Sequence, residues 1–441
     1  MTALTPATAR TVAAEAFVFG YPLVLTDVTR AVSMAMPQGG GRVPANEFAH
    51  LREFPDASFT GVVSPNADTL YSVAWLDLAT EPVVLGVPAS GGRYYLLPML
   101  SGWSDVFAAP GTRTTGNDPG TFAVTGPGWL GGLPAGVQQI RSPTSMAWVI
   151  GRTETRGKAD YADVHRFQDG FSLRPLSAWA SQRPAAREVP AGPGTGIAAP
   201  PPDQVEAMDA ATFFSRLARL LETNPPAAAD APAMRRFAAI GLTVGAFQPG
   251  PGLASALDAG VQDARAQLKA QLKATRRQPP GLANGWTIDR GLGRYGTNYQ
   301  QRASVALFGL GANLPEDALY PHTAADSGGR RLTGAHRYVL HFPPGQTPPA
   351  RAFWSLTMYN EHQYFAANPL GRYALGDRDP LAFNRDGSLD LWLQHNSPGR
   401  RAEPNWLPAP AGQFSLILRI YWPKRGLLDG TWAAPAVQRV S

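Results

Sequence analysis

The sequence predicts a mainly β protein with two antiparallel β-sandwich domains, of plain or jelly-roll type, joined by a helical connector. Three observations carry this. Short alternating or apolar stretches cluster before residue 175 and return after Trp286. Glycine and proline number 46 and 42 among 441 residues, as a fold of many turns and short strands requires. Helical periodicity is strongest between the two β-rich regions, and no regular strand–helix alternation, which a parallel sheet would need, appears anywhere.

The opening segment, MTALTPATARTVAAEAFVFGYPLV, reads as a buried or amphipathic helix closed by Gly20 and Pro22. Its single basic residue, Arg10, and the internal Glu15 do not suit a signal peptide. Thr69 to Leu78 alternates: Leu70, Ala74, Leu76 and Leu78 point one way, Tyr71, Val73, Trp75 and Asp77 the other. Val83–Val87, Arg93–Leu100 and Ala147–Arg152 are further strands. Ser181 to Pro202, dense in Pro, Gly and Ala, is a linker or long loop. Asp209 then caps a helix with Phe213, Phe214, Leu217, Leu220 and Leu221 on one face. Leu253, Leu257, Val261, Leu268 and Leu272 mark a longer one. Arg337–Phe342, Ala352–Tyr359, Leu389–Gln394 and Gln413–Trp422 return to strand, with Asp386-Gly387 as a hairpin signal. The expected domains are 1–180, a connector 181–284, and 285–441.

Composition narrows the function. With 44% hydrophobic and 16% charged residues the chain is globular. Its net charge of +6 comes almost wholly from Arg, and no basic tract with interleaved aromatics points to nucleic acid. Cysteine is absent, which removes disulfides, thiolate metal sites and a Cys nucleophile. No apolar run of about 18 residues predicts a membrane span. The default location is cytoplasmic, with periplasmic or secreted open if a leader was removed.

The seven histidines form no H-x-x-x-H or H-E-x-x-H pair, so neither metal nor organic cofactor is expected. Gly291-Leu292-Gly293-Arg294-Tyr295-Gly296 matches the dinucleotide spacing but lacks a convincing strand before it. Gly102-Trp103-Ser104-Asp105-Val106 holds half of a nucleophile elbow, with no clear helix after it.

The polar residues on or beside strands are the site candidates. Asp68, Asp105 and Tyr71 can exchange protons and are the catalytic ones. Asn66, Trp103, Arg113, Arg372, Asn405, Trp406, Arg419 and Tyr421 are the substrate-binding ones, for anion pairing, hydrogen bonding or stacking. Asn66 and Asp68 equally fit a turn that bonds its own backbone. Arg419 and Tyr421 equally fit the solvated face of a strand whose other face is Phe414, Leu416, Leu418, Ile420 and Trp422.

SPNADTLYSVAWLDL, GRYYLLPMLSGWSDVFAAPGTRTTG and GPGW, with AAEAFVFGYPLV before them, resemble the domain of unknown function 1254. YGTNYQQRASVALFGLGAN, FWSLTMYN, NPLGRYALGDRD, NRDGSLDLWLQ and NWLPAPAGQFSLILRIYWP resemble the domain of unknown function 1214. The resemblance implies a double jelly roll similar to large viral coat proteins. It implies no established catalytic residues. The functional expectation is a cofactor-independent hydrolase or lyase for a small organic or carbohydrate-like substrate, expected to be a homo-oligomer. The alternatives are a non-catalytic carbohydrate or small-molecule binder and a self-assembling coat-like protein.

Overall fold

The computed structural model describes residues 4–35, 37–38, 41–181, 199–277 and 283–440. Most of the expected linker, 182–198, lies outside them. The chain is mixed rather than mainly β: 29% is helical and 26% strand, in several open, largely antiparallel sheets.

Two lobes each carry eight principal strands. The first has β1 (Thr69–Asp77), β2 (Val83–Val87), β3 (Met99–Ser101), β4 (Val106–Ala108), β5 (Gly120–Thr125), β6 (Gln138–Arg141), β7 (Met146–Glu154) and β8 (Ser172–Pro175). The second has β9 (Ala318–Leu319, resumed at His322–Thr323), β10 (Tyr338–Phe342), β11 (Ala350–Asn360), β12 (Ala374–Gly376), β13 (Leu389–Gln394), β14 (Trp406–Pro408), β15 (Phe414–Pro423) and β16 (Val437–Arg439). The sheet orders are β1-β7-β3-β4 and β6-β5-β2-β8 in the first lobe. In the second they are β9-β15-β11-β12 and β14-β13-β10-β16. Adding eight to each strand number of one lobe gives the other, so the molecule repeats one plan twice. Even the departure from antiparallel pairing repeats: β5 and β6 run parallel, as do β13 and β14. The loops 126–137 and 395–405 allow this, since parallel neighbours need a crossover of about a dozen residues.

Each lobe buries a core between its two sheets. Ala74 and Leu76 of β1, with Leu78 just beyond it, meet Val83, Leu85, Phe122 and Val124 in the first. Leu416, Leu418 and Ile420 of β15 meet Leu340, Leu391 and Leu393 in the second. Trp422 leaves this apolar face, because its left-handed backbone (φ 49°) breaks the alternation.

A helical layer packs on the first lobe, against Trp75, Trp103 and Met146. It contains α1 (Pro6–Ala35), α3 (Ala210–Thr223), α4 (Ala254–Arg277) and α5 (Tyr299–Gly309); α2 (Tyr161–Asp169) precedes β8. Against expectation, α1 runs straight through Gly20 and Pro22. Packing overrides the breakers: the bare face of Gly20 admits Leu217 of α3, whose Cδ2 would lie 2.3 Å from an added Cβ. By length and composition α1 could cross a bilayer, yet 83% of its apolar window is buried inside the protein. The Asp209 cap forms as expected, accepting the Thr212 amide at 2.7 Å.

Candidate functional site between the lobes

The outward face of the first lobe's leading sheet carries Tyr71, Val73 and Trp75 on β1. Directly opposite on β7 stand Arg152, Ile150 and Trp148. The tryptophan end is stacked, with ring centroids 4.6 Å apart, and packs toward the helices. The Tyr71–Arg152 end meets the second lobe, whose equivalent face offers Phe353, Ser355 and Thr357 on β11 opposite Tyr421, Arg419 and Ile417 on β15.

The segment before β1 threads this junction. Asn66 makes the expected turn: its Oδ1 accepts the Asp68 amide at 2.6 Å. Its Nδ2 lies 2.8 Å from Thr69 Oγ1, 3.1 Å from the Tyr421 hydroxyl and 3.3 Å from the Tyr71 hydroxyl. Turn and site edge are thus the same residue. Asp68 is buried, takes an ion pair from Arg378 and accepts Ser355 Oγ at 2.6 Å. Arg419 donates to Thr357 Oγ1 at 2.8 Å and to the Ser64 carbonyl at 2.9 Å. Tyr421 is fully buried, so this face of β15 is not solvated.

The arrangement repeats with the lobes exchanged. Asp68-Thr69-Leu70-Tyr71 leads into β1, and Asp317-Ala318-Leu319-Tyr320 leads into β9. Tyr71 faces Arg152 across β7; by the register of β9 on β15, Tyr320 faces Arg419. Asn66 lies by the Tyr71 hydroxyl, and Asn313 donates to the Tyr320 hydroxyl at 2.6 Å. Arg419 reaches the loop before β1, and Arg152 reaches Asn313 at 2.8 Å in the loop before β9. Asp68 pairs with Arg378 beyond β12, while Asp317 pairs at 2.6 Å with Arg113 beyond β4. Two reciprocal ion pairs therefore tie the lobes.

The two halves differ in access. A cleft of about 1210 Å³ opens onto Asn66, Asp68, Tyr71, Arg152, Ser355 and Arg378. A second cavity of about 500 Å³ shares Arg156 and Arg378 with it and holds Tyr94, Asp377 and Trp422. Tyr320 lines neither. Charge follows the same split. Burial raises the Tyr71 phenol, but Arg152, the Asn66 amide and Arg419 outweigh it, so its pKa lies below the ordinary tyrosine value. Burial dominates at Tyr320 and Tyr421 and holds both above it. The Arg152 guanidinium sits 5.2 Å from the Tyr71 ring centroid. It has no carboxylate at ion-pair distance among the described residues, and its buried Nε has no partner.

The other candidates fall elsewhere. Arg372 lines the cleft, yet its guanidinium is occupied by the carbonyls of Glu403 and Trp406, both at 2.8 Å. Asn405 braces Ala382, and the buried Trp406 bonds the Gln394 carbonyl. Arg113 belongs to the second ion pair. Trp103 is core, against Phe19 and under the Arg302 guanidinium. Asp105 accepts the Tyr295 amide at 2.9 Å and lies 3.8 Å from Arg302, with its pKa raised by burial. Ser104 sits in the tight turn between β3 and β4 at φ 71°. Among the described residues no group of three or more His, Cys, Asp or Glu side chains gathers to hold a metal. Sequence reasoning missed Arg152, Ser355 and Arg378. The repeated Asp-x-Leu-Tyr was the available signal for the symmetric half of the site.

Residues 45–175 match the family model described as protein of unknown function DUF1254, and residues 317–425 match that of DUF1214. No curated protein matches the sequence significantly. The crystal structure of the VPA0106 protein from Vibrio parahaemolyticus is similar over 98% of this chain and 100% of its own, at 24% identity and a TM-score of 0.74. A protein from Burkholderia cenocepacia aligns over 97% of this chain and 89% of its own, at 12% identity and a TM-score of 0.48. The first of these supports the overall fold.

Proposed function

The chain belongs to the family in which DUF1254 and DUF1214 domains stand in tandem, and on that premise we propose that it is a cofactor-independent lyase or hydrolase whose reaction centre is Tyr71. One observation carries the reading. A phenol of lowered pKa lines an open cleft beside a buried arginine that has no carboxylate partner. Perturbed groups held in a cleft by named charge neighbours are the usual signature of proton-transfer chemistry.

In this reading Tyr71, as phenolate, takes a proton from the substrate or from a water that attacks it. Arg152 stabilises the negative charge that develops. Asn66 orients the phenol through its amide and keeps its own carbonyl on the Asp68 turn. Asp68 is a positioning residue here: its carboxylate is spent on Arg378 and Ser355, which fix the loop carrying Asn66. Arg419 and Tyr421 support the same loop from behind. Each lobe's two facing sheets, whose eight principal strands repeat one order, support its description as jelly-roll-like, with the parallel edge pair as its departure.

The test is turnover on a panel of aryl esters and β-substituted carboxylic acids with wild type and Tyr71→Phe. A positioned acid–base group contributes about 10²- to 10⁴-fold, so Tyr71→Phe should lose at least about 100-fold on whichever class reacts. Equal turnover by both proteins, or none by wild type, contradicts the proposal.

A further inference from the structure

The cleft is built in two chemically distinct zones, and together they describe a ligand. Its floor is cationic: Arg152 is 8% exposed, has an unpartnered Nε, and finds no carboxylate at ion-pair distance among the described residues. The Arg152 Nη1 donates to the Ile150 carbonyl at 3.0 Å and to Asn313 at 2.8 Å, and a guanidinium fixed in this way, with no acid of its own, suits a single carboxylate. The floor's own acid, Asp68, is consumed by Arg378 and Ser355.

The lip is apolar. Among the described residues, Leu51, Phe59, Val62 and Leu370 are large hydrophobic side chains left exposed, by 43%, 39%, 62% and 42%, and all four line this cleft. Between lip and floor the wall continues through Val73, Trp148 and Ile150. Exposed apolar surface gathered round one opening marks a binding site for apolar matter. Glu53 and Asp56 also stand on the lining, opposite Lys158, while the lining residues Arg156, Arg372 and Arg378 are engaged by Glu154, the Glu403 and Trp406 carbonyls and Asp68. At about 1210 Å³ the space exceeds what a two- or three-carbon acid would fill.

We propose that the cleft takes a monoanionic amphiphile, a carboxylate whose head lies on Arg152 and whose hydrocarbon body lies along the apolar wall and lip. The substrate class follows for the reaction centre proposed above, and the inference rests on that reading only in calling the ligand a substrate. With the head on Arg152, the carbons next to the carboxylate come closest to Tyr71, and the tail points to solvent.

The experiment is calorimetric titration of the full chain with butanoate, hexanoate, octanoate and decanoate below their micelle concentrations, with octanol as the uncharged control. Affinity should rise about fourfold for each buried methylene, and octanol should bind at least about tenfold more weakly than octanoate. Arg152→Gln should abolish the preference for octanoate over octanol. Val62→Asp, on the exposed lip, should weaken decanoate about tenfold and leave butanoate within about twofold, even if the Arg152 variant does not fold. Affinity independent of chain length, equal binding of octanol, or no binding by any acid overturns the proposal. Binding that holds while Tyr71→Phe keeps full turnover would sink the catalytic reading and leave the ligand class standing.

Discussion

The two lobes share a strand order, a repeated Asp-x-Leu-Tyr entry and a pair of exchanged ion pairs, yet of the two entry tyrosines Tyr71 lines the cleft and Tyr320 does not. In the first lobe the leading sheet's outer face is divided. Trp75 and Trp148 go to the helical layer and Tyr71 and Arg152 to the junction. In the second lobe Arg419 and Tyr421 of the same face are closed against the first, while Ser355, bonded to Asp68, stands at the edge of the cleft. The difference teaches that scaffold and reactivity are separable. One plan, used twice, supplies a tyrosine beside an arginine each time. Arg152 and Arg419 act on both tyrosines, and the balance decides the acidity: with the Asn66 amide they outweigh burial at Tyr71, while burial prevails at Tyr320.

Breaking the exchanged ion pairs should have the largest effect. Asp68→Ala leaves the half-buried Arg378 without its charge partner, and Asp317→Ala does the same to Arg113. Loss of one partner from a buried pair costs about 3–5 kcal/mol, which denaturant unfolding will measure. If both pairs hold one interface, the double variant will fall short of the sum by more than about 0.5 kcal/mol. Strict additivity would show that the lobes are tied independently at the two points.

Removing the arginine of the open half is the next test. Arg152→Gln should raise the pKa of Tyr71 and so suppress its ionisation, because a cation that favours the phenolate is gone. The linked stability follows in sign. Tyr71 has a folded pKa below its unfolded value near 10, so its stabilising contribution is present above about pH 10 and is lost as pH falls through the folded pKa. Wild type should therefore gain stability relative to Tyr71→Phe as pH rises through that window. A difference that stays flat with pH would put Tyr71 outside the influence of Arg152.

The smallest effect concerns a mismatch between the repeats. Arg378 follows Asp377, whereas Arg113 follows Thr112. Asp377 reaches the surface, yet the protein packed about its carboxyl raises it from 3.8 to about 6. A raised acid favours the folded state only while protonated, so its contribution is fully present below pH 3.8 and gone above about pH 6. Asp377→Asn should raise the melting temperature above that pH and change nothing below about pH 3.8. The variant Thr112→Ala in the other half should show no such pH dependence.

Much of this architecture was legible because burial writes itself into period. The alternation on β1 and β15, the strands of the second lobe and the Asp209 cap all followed from side-chain spacing. Pro22 misled because the helix it should end is held on several sides by packing, which local propensity does not record. The site was half legible. Asn66, Asp68 and Tyr71 stood out as polar residues at the start of a strand. Arg152 did not, because its importance comes from standing across from Tyr71, and strand pairing is not written locally. Trp103, Asp105, Asn405 and Trp406 drew attention by residue type but serve the core and loops, a distinction that only tertiary position makes.

The most direct test of the central claim is a near-ultraviolet titration of tyrosinate in wild type, Tyr71→Phe and Tyr320→Phe. The chain has 13 tyrosines, and the account predicts that one ionises below the ordinary value near 10. That step should be missing from Tyr71→Phe and intact in Tyr320→Phe. A low-pH step that survives in Tyr71→Phe, or no such step in wild type, would contradict the assignment of the reactive half.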